Sequence, residues 1–279
     1  MRIVTEAHAK INWALNITGL RANGYHELEM LMQEIALSDT LTFESADDLS
    51  LTVNGALAEC PEDNLIIKAA RALNRRMGTR HGASIALTKR IPARAGLGGG
   101  SADCGATLRA LNRLWDLNLS DAALLELGAT LGADVPFCLT GGLARVSGIG
   151  EVISPFDRAA SIPLTMVTPG GGLSTVEVFH RWDAGGWPKI ELDVPALVNA
   201  LTIRDLRAAD ALCRNALTAP AIAMMPEIAD AIGHFRALGA RCVFMTGSGS
   251  TVVAAFDDEA SAQCAAEACA GAIVTHTVS

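Results

Sequence analysis

The sequence is short of positive charge. Lysine and arginine number 22 against 30 aspartates and glutamates, a formal net charge of -8 over 279 residues. That balance argues against broad binding to nucleic acid or to an anionic membrane, although a local basic pocket can still hold a phosphate. Paired cysteines are also missing. The seven cysteines stand at 60, 104, 138, 213, 242, 264 and 269 with no C-x-x-C pair, which fits neither a disulfide framework nor a zinc site. They read as mostly buried thiols in a reducing cytoplasm. No uncharged apolar run approaches the roughly 18 residues of a membrane helix, and Met1 to His8 carries Arg2 and Glu6 in place of a signal-peptide core. Repeats and low-complexity tracts are absent, and no glycine run is followed by Gly-Lys-Ser/Thr, so there is no Walker A loop.

What the chain does have is apolar bulk and a dense cluster of glycines. Half of its residues are apolar, enough for a sizeable core, and the expected partner is a small molecule. Ala7 to Ile17 alternates, with Ile11, Trp13, Leu15 and Ile17 on one face and His8, Lys10, Asn12 and Asn16 on the other, which predicts a strand with a polar face. A turn is expected at Asn23-Gly24, strands at 41–44, 49–53 and 83–88, and a helix over 64–77. Further helices are expected from Ser101 to Leu114 and from a Ser120 cap to Gly132. The second half reads as a strand at 164–168, helices to about 237, strands at 241–245 and 251–256 around a Gly-Ser-Gly turn, a helix at 259–269 and a last strand. This is an α+β pattern. Loop residues near Pro155 to Pro163 suggest a division into 1–158 and 159–279.

Between an expected strand and an expected helix lies Pro92-Ala93-Arg94-Ala95-Gly96-Leu97-Gly98-Gly99-Gly100-Ser101-Ala102-Asp103. Four glycines in the five positions 96–100 let the backbone approach a ligand and adopt positive φ, and the helix start aims N-H groups and a positive dipole end at it. An anion suits that place. Ser101 can cap the helix, bind a phosphate oxygen or meet Mg²⁺, and Asp103 can accept a bond in the first turn or sit near the metal. The simpler reading is a plain turn with Ser101 as its cap. A dinucleotide fingerprint is disfavoured, because a second helix rather than a strand follows.

Three blocks, Ala7-His8-Ala9-Lys10-Ile11-Asn12, Gly96 to Ser101, and Thr246-Gly247-Ser248-Gly249-Ser250, resemble in order and spacing the motifs of the GHMP kinases (galactokinase, homoserine, mevalonate and phosphomevalonate kinases). Within them, Gly19 to His26, Glu62 to Ile66 and Leu131 to Pro136 are similar to the members that phosphorylate an erythritol carrying cytidine diphosphate on the methylerythritol phosphate route to isoprenoids. The resemblance implies an N-terminal domain like domain 2 of ribosomal protein S5 and a ferredoxin-like C-terminal domain. It further implies ATP with Mg²⁺, a cytoplasmic monomer or weak homodimer, and no nucleic-acid or membrane partner.

Under the same resemblance Asp134 is the catalytic carboxylate and Lys10 the cation beside it, against the plainer readings of a helix cap at Val135-Pro136 and a surface lysine. Residues 92–102 hold the ATP phosphates, and Asn64 and Lys89 meet the adenosine. Asn12, Tyr25 and His26 hold the substrate, with Tyr25 stacked on cytosine, while a loop-packing tyrosine is the alternative. Three departures stand out. Ala102 occupies the place of a usual second serine, Met32 that of a frequent aromatic, and Asn215-Ala216-Leu217-Thr218 that of an Asn-Asp-Leu-Glu string. A kinase of the homoserine or mevalonate type and a non-catalytic nucleotide sensor remain open on the residues alone.

Overall fold

The computed structural model describes residues 1–57 and 61–278, so Cys60 lies outside the described residues. Two long strands, β1 (Arg2–Leu20) and β2 (His26–Ala46), come first and pair with each other. Then follow β3 (Leu49–Val53), β4 (Ala56–Leu57), α1 (Leu65–Met77), β5 (Gly82–Thr88), α2 (Gly99–Leu114), α3 (Asp121–Ala129), α4 (Val135–Thr140), β6 (Leu143–Gly148) and β7 (Val152–Phe156). The remainder is β8 (Pro163–Val167), α5 (Thr175–Asp183), α6 (Val194–Thr202), α7 (Leu206–Leu212), α8 (Thr218–Met224), α9 (Glu227–Ala237), β9 (Cys242–Met245), β10 (Val252–Ala255), α10 (Glu259–Glu267) and β11 (Ile273–His276). Two compact units are built from interleaved stretches of this chain.

One unit takes Met1–Ala9, Leu37–Ile91 and Gly98–Gly141. In it β5 pairs antiparallel with residues 40–46 of β2 and parallel with β3. Ala83, Ile85 and Leu87 alternate inward along β5 and meet Ile66, Ile67, Ala70 and Leu73, the apolar stripe of α1. Asn64 caps α1 through its side chain, which accepts from Ile66 N at 2.9 Å. Ser120 caps α3 as its sequence suggests, but that helix ends at Ala129, ahead of Gly132. The helix expected from Ser101 begins earlier. Gly98, at φ +70, is the N-cap and Ser101 lies inside the first turn, because glycine takes the left-handed conformation at little cost.

The other unit takes Lys10–Ala36, Pro92–Leu97 and the chain from Gly142 onward. Residues 28–33 of β2 pair with β6, and β6 pairs with β7. The sequence reading assigns no element there and treats Pro155 as loop. Pro155 in fact sits in β7 opposite Ala144, and a proline is tolerated there because β7 is the end strand of its sheet. The second sheet runs β11-β8-β10-β9, all antiparallel, which is the ferredoxin-like order with helices between β8 and β9 and between β10 and β11. The middle of the polar face of β1 does not meet water. Lys10 is 4% and Asn12 1% exposed, as buried as Trp13 and Leu15 on the opposite face.

Candidate active site

The glycine-rich turn carries positive φ at Arg94, Gly96 and Gly98. As N-cap, Gly98 brings no side-chain oxygen to the first turn of α2, so the N-H groups of Gly99, Gly100 and Ser101 open the helix without a side-chain cap. An uncapped helix start behind a chain with few Cβ atoms suits an anion. Pro92, Ala93, Arg94 and Gly100 lie toward the surface, whereas Ala95, Leu97 and Ala102 are buried. Ala102 belongs to the core cluster of its unit. A serine there would point into the core, so replacing it by alanine costs no exposed phosphate contact.

Lys10 is no surface lysine. Its Nζ donates to Asn12 Oδ1 at 2.8 Å and to Gly96 O at 3.1 Å, and its backbone N-H to Leu97 O at 3.0 Å, so β1 holds the first half of the glycine turn. Such oxygen partners satisfy the donors of a buried amine. Asn12 N-H donates to Thr246 Oγ1 at 2.8 Å. That threonine opens the late turn, which is a hairpin connection between β9 and β10 and also abuts the early one. A methyl added at Gly96 would stand 2.6 Å from Thr246 O, and one at Gly247 would stand 2.9 Å from Gly96 O. Asn215 fixes the late turn, donating through Nδ2 to Met245 O at 2.9 Å and Gly247 O at 2.8 Å. The departure around Asn215 therefore spares the residue that does the anchoring.

Asp134 is the N-cap of α4 by position, but its side chain makes no capping bond, which removes capping as the reason for a carboxylate there. The Gly132 turn just before it lies beside Ser101, since a methyl at Gly132 would come 3.9 Å from Ser101 Oγ. Lys89, expected at the adenosine, is partly buried and bonded to two carboxylates, Asp39 and Asp103. Burial pushes the Asp103 carboxyl up to about 7; the Lys89 ammonium opposes the rise and Asp39 adds to it. Lys89 itself is raised: burial lowers it, and the two carboxylates outweigh that. Among the described residues no group of three or more His, Cys, Asp or Glu side chains is arranged to hold a metal ion.

Tyr25 and His26 share a turn but not a fate. Tyr25 is 59% exposed, while the His26 ring stacks on Phe179 at 4.7 Å, meets Trp182 edge-on at 5.6 Å, and its Nε2-H donates to Asp183 Oδ1 at 2.7 Å. Arg21 braces this turn by pairing with Glu27 and Glu151. Met32 is fully buried, so it offers no stacking surface in place of an aromatic. The sequence reading missed Asp39, Phe179, Trp182, Asp183 and the role of Asn215. For Asp39 a signal existed, a lone carboxylate among the apolar residues of Ile35 to Phe43. For the α5 side chains there was none, because their partner is about 150 positions away in the chain.

The model of the GHMP kinases N-terminal domain matches residues 64–142 and that of the GHMP kinases C-terminal domain residues 196–273. The chain is 42% identical over 254 residues to the 4-diphosphocytidyl-2-C-methyl-D-erythritol kinase of Pelotomaculum thermopropionicum, covering 90% of this chain and 88% of that one. It is 41% identical to that of Rhodospirillum rubrum, covering 93% and 86%. A crystal structure of 4-(cytidine 5'-diphospho)-2C-methyl-D-erythritol kinase superposes with a TM-score of 0.84 at 34% identity, over 99% of this chain and 100% of the other. A homoserine kinase from Cytophaga hutchinsonii, at 19% identity and a TM-score of 0.75, shares the fold. With two thirds and more of each curated relative covered at such identity, the chain belongs to the 4-diphosphocytidyl-2-C-methyl-D-erythritol kinase family of the GHMP kinases.

Proposed function

We propose that this chain transfers the terminal phosphoryl group of ATP to the 2-hydroxyl of 4-diphosphocytidyl-2-C-methyl-D-erythritol, a step toward isoprenoid precursors outside the mevalonate route. The observation that carries the phosphate half of this reading is the glycine N-cap of α2, which leaves first-turn N-H groups open where a phosphate can take their bonds. Phosphoryl transfer asks for positioning and charge neutralisation more than covalent chemistry. Residues 92–102 hold the phosphates, through backbone N-H groups where the side chains are buried. Mg²⁺ arriving with the nucleotide neutralises phosphate charge, and Ser101 Oγ is the side chain that the turn offers it.

Asp134, whose side chain makes no capping bond to α4, accepts or orients the hydroxyl proton. Lys10 supplies a fixed ammonium that favours the developing alkoxide. Asn12 and His26 orient the substrate and Tyr25 gives the cytosine ring a face to stack on. Asn64 contributes at the adenosine end alongside its capping bond, and Lys89 does so by backbone, its ammonium being committed to Asp39 and Asp103. The enzyme acts in the cytoplasm as a monomer or weak homodimer. A coupled assay with ATP and Mg²⁺ against a panel of the cytidine-bearing erythritol, homoserine and mevalonate tests the reading. Turnover confined to the first compound is expected, and preference for either of the others overturns it.

A further inference from the structure

Asp39 has no part in the chemistry set out above, yet it is completely buried on β2 and its hydrogen bonds reach the residues that lead into the glycine turn. Oδ1 accepts the backbone N-H of Arg90 at 2.5 Å and of Ile91 at 2.9 Å, the two residues that lead into residue 92. Oδ2 accepts from the Lys89 ammonium. That ammonium donates onward to Asp103 Oδ2 at 3.0 Å, in the first turn of α2. It also lies against Gly99, where an added methyl would meet Lys89 Nζ at 3.2 Å and Ile91 Cγ2 at 3.0 Å. The other oxygen of Asp103 has no hydrogen-bond partner among the described residues, so the bond to Lys89 is what holds this carboxylate in place.

We propose that Asp39 is a positioning residue for the phosphate-binding turn, pinning its entry directly and its exit through Lys89 and Asp103, an inference that rests on the turn holding ATP. The physical case is one of entropy and cost. A stretch with glycine at 96, 98, 99 and 100 has many backbone states to lose, and fixing both ends removes much of that freedom before the ligand arrives. Burying a carboxylate is expensive unless it is bonded on both oxygens. Here both oxygens are used, by residues 89–91 immediately ahead of the turn, and the carboxylate also faces Asp103. A carboxylate serving the core alone would have no need to reach a lysine that bridges to α2.

Asp39→Asn tests this, because an amide oxygen can keep the two backbone bonds while its NH₂ faces the ammonium of Lys89 and breaks the bridge. Calorimetry with ATP and MgCl₂ on the full chain should show at least a tenfold weaker Kd for D39N. The KM for the phosphoryl acceptor should stay within twofold and kcat at saturating ATP within threefold. A Kd for ATP within twofold of wild type, with only Tm lowered, overturns the proposal, as does an equal rise in both KM values. Asp103→Ala cuts the bridge at α2 and leaves Asp39 bonded to Lys89; it should weaken ATP at least fivefold and decides the question alone if D39N does not fold. Failure of the wild-type chain to bind ATP would instead remove the functional reading, and this inference with it.

Discussion

At the scale of single residues, what matters is which polar groups are committed to the fold and which are left for a ligand. Asp134 opens α4 without a side-chain capping bond, and the proposed role of its carboxylate is open to test. Asp134→Asn keeps the shape and should lower kcat by about 10²-fold or more while ATP still binds, checked by steady-state kinetics beside calorimetry. Turnover near wild type would withdraw the assignment. Tyr25 is mostly solvent-facing, so truncating it should cost little stability and report on recognition. Tyr25→Ala should weaken the cytidine-bearing substrate by about 1 to 3 kcal/mol and leave the KM for ATP alone, and Tyr25→Phe should keep most of the affinity. Met32, at the place of a frequent aromatic, is completely buried and so does not bear on the size of the effect. Equal changes in both KM values would mean damage to the turn and not a lost stack.

At the scale of elements, α2 and the turn between β1 and β2 make opposite demands. Gly98 needs its left-handed φ of +70, so any side chain there strains the backbone and a loss of binding would be ambiguous. Gly100 is a cleaner probe. It is helical and exposed, and an added methyl would make only an ordinary 3.7 Å contact with Leu65. Gly100→Ala should therefore leave Tm unchanged or slightly raised, as alanine suits a helix better, yet raise the KM for ATP several-fold if phosphates approach the backbone there. An unchanged KM would make the turn structural. In the other element Glu151 braces Arg21 and accepts Ile149 N-H at 2.6 Å. Burial raises its carboxyl, but its own backbone, Arg21 and Ile149 together hold it below the usual value of 4.5. A depressed carboxylate adds stability above its unfolded pKa and loses it as pH falls through the folded one. Glu151→Gln should thus lower Tm slightly at pH 7, with the gap closing as pH falls below the usual carboxylate range; for so exposed a pair the effect is small. A gap that widens in acid would contradict the pairing.

At the scale of the whole molecule, the cysteines test how the chain is packed. Cys104, Cys213 and Cys242 are buried, and Cys264 is exposed. Burial pushes the Cys104 thiol up to about 12, and Cys242, 3.6 Å from Cys213, is also raised by that neighbouring thiol and by burial. Among the described cysteines, mass-spectrometric mapping after brief alkylation should find Cys264 first and these three only on unfolding. Early labelling of Cys104 would mean that α2 opens far more than its packing allows. Local pattern was enough for much of this protein. The period of two along Ala7 to Ile17, the stripe and Asn64 cap of α1, the Ser120 cap and the glycines before α2 are written within a few residues of one another, and so were legible. The tertiary structure decided what depends on distant partners. It buried Lys10 and Asn12 on a face that alternation alone marks only as polar, drew together Asp39 of β2, Lys89 just past β5 and Asp103 of α2, and seated His26 against an α5 helix some 150 residues onward. It also made strands of 143–148 and 152–156, whose short runs acquire meaning only through pairing with β2 and with each other. Periodicity says which way a side chain points, but whether water or protein waits there is set by where the rest of the chain folds.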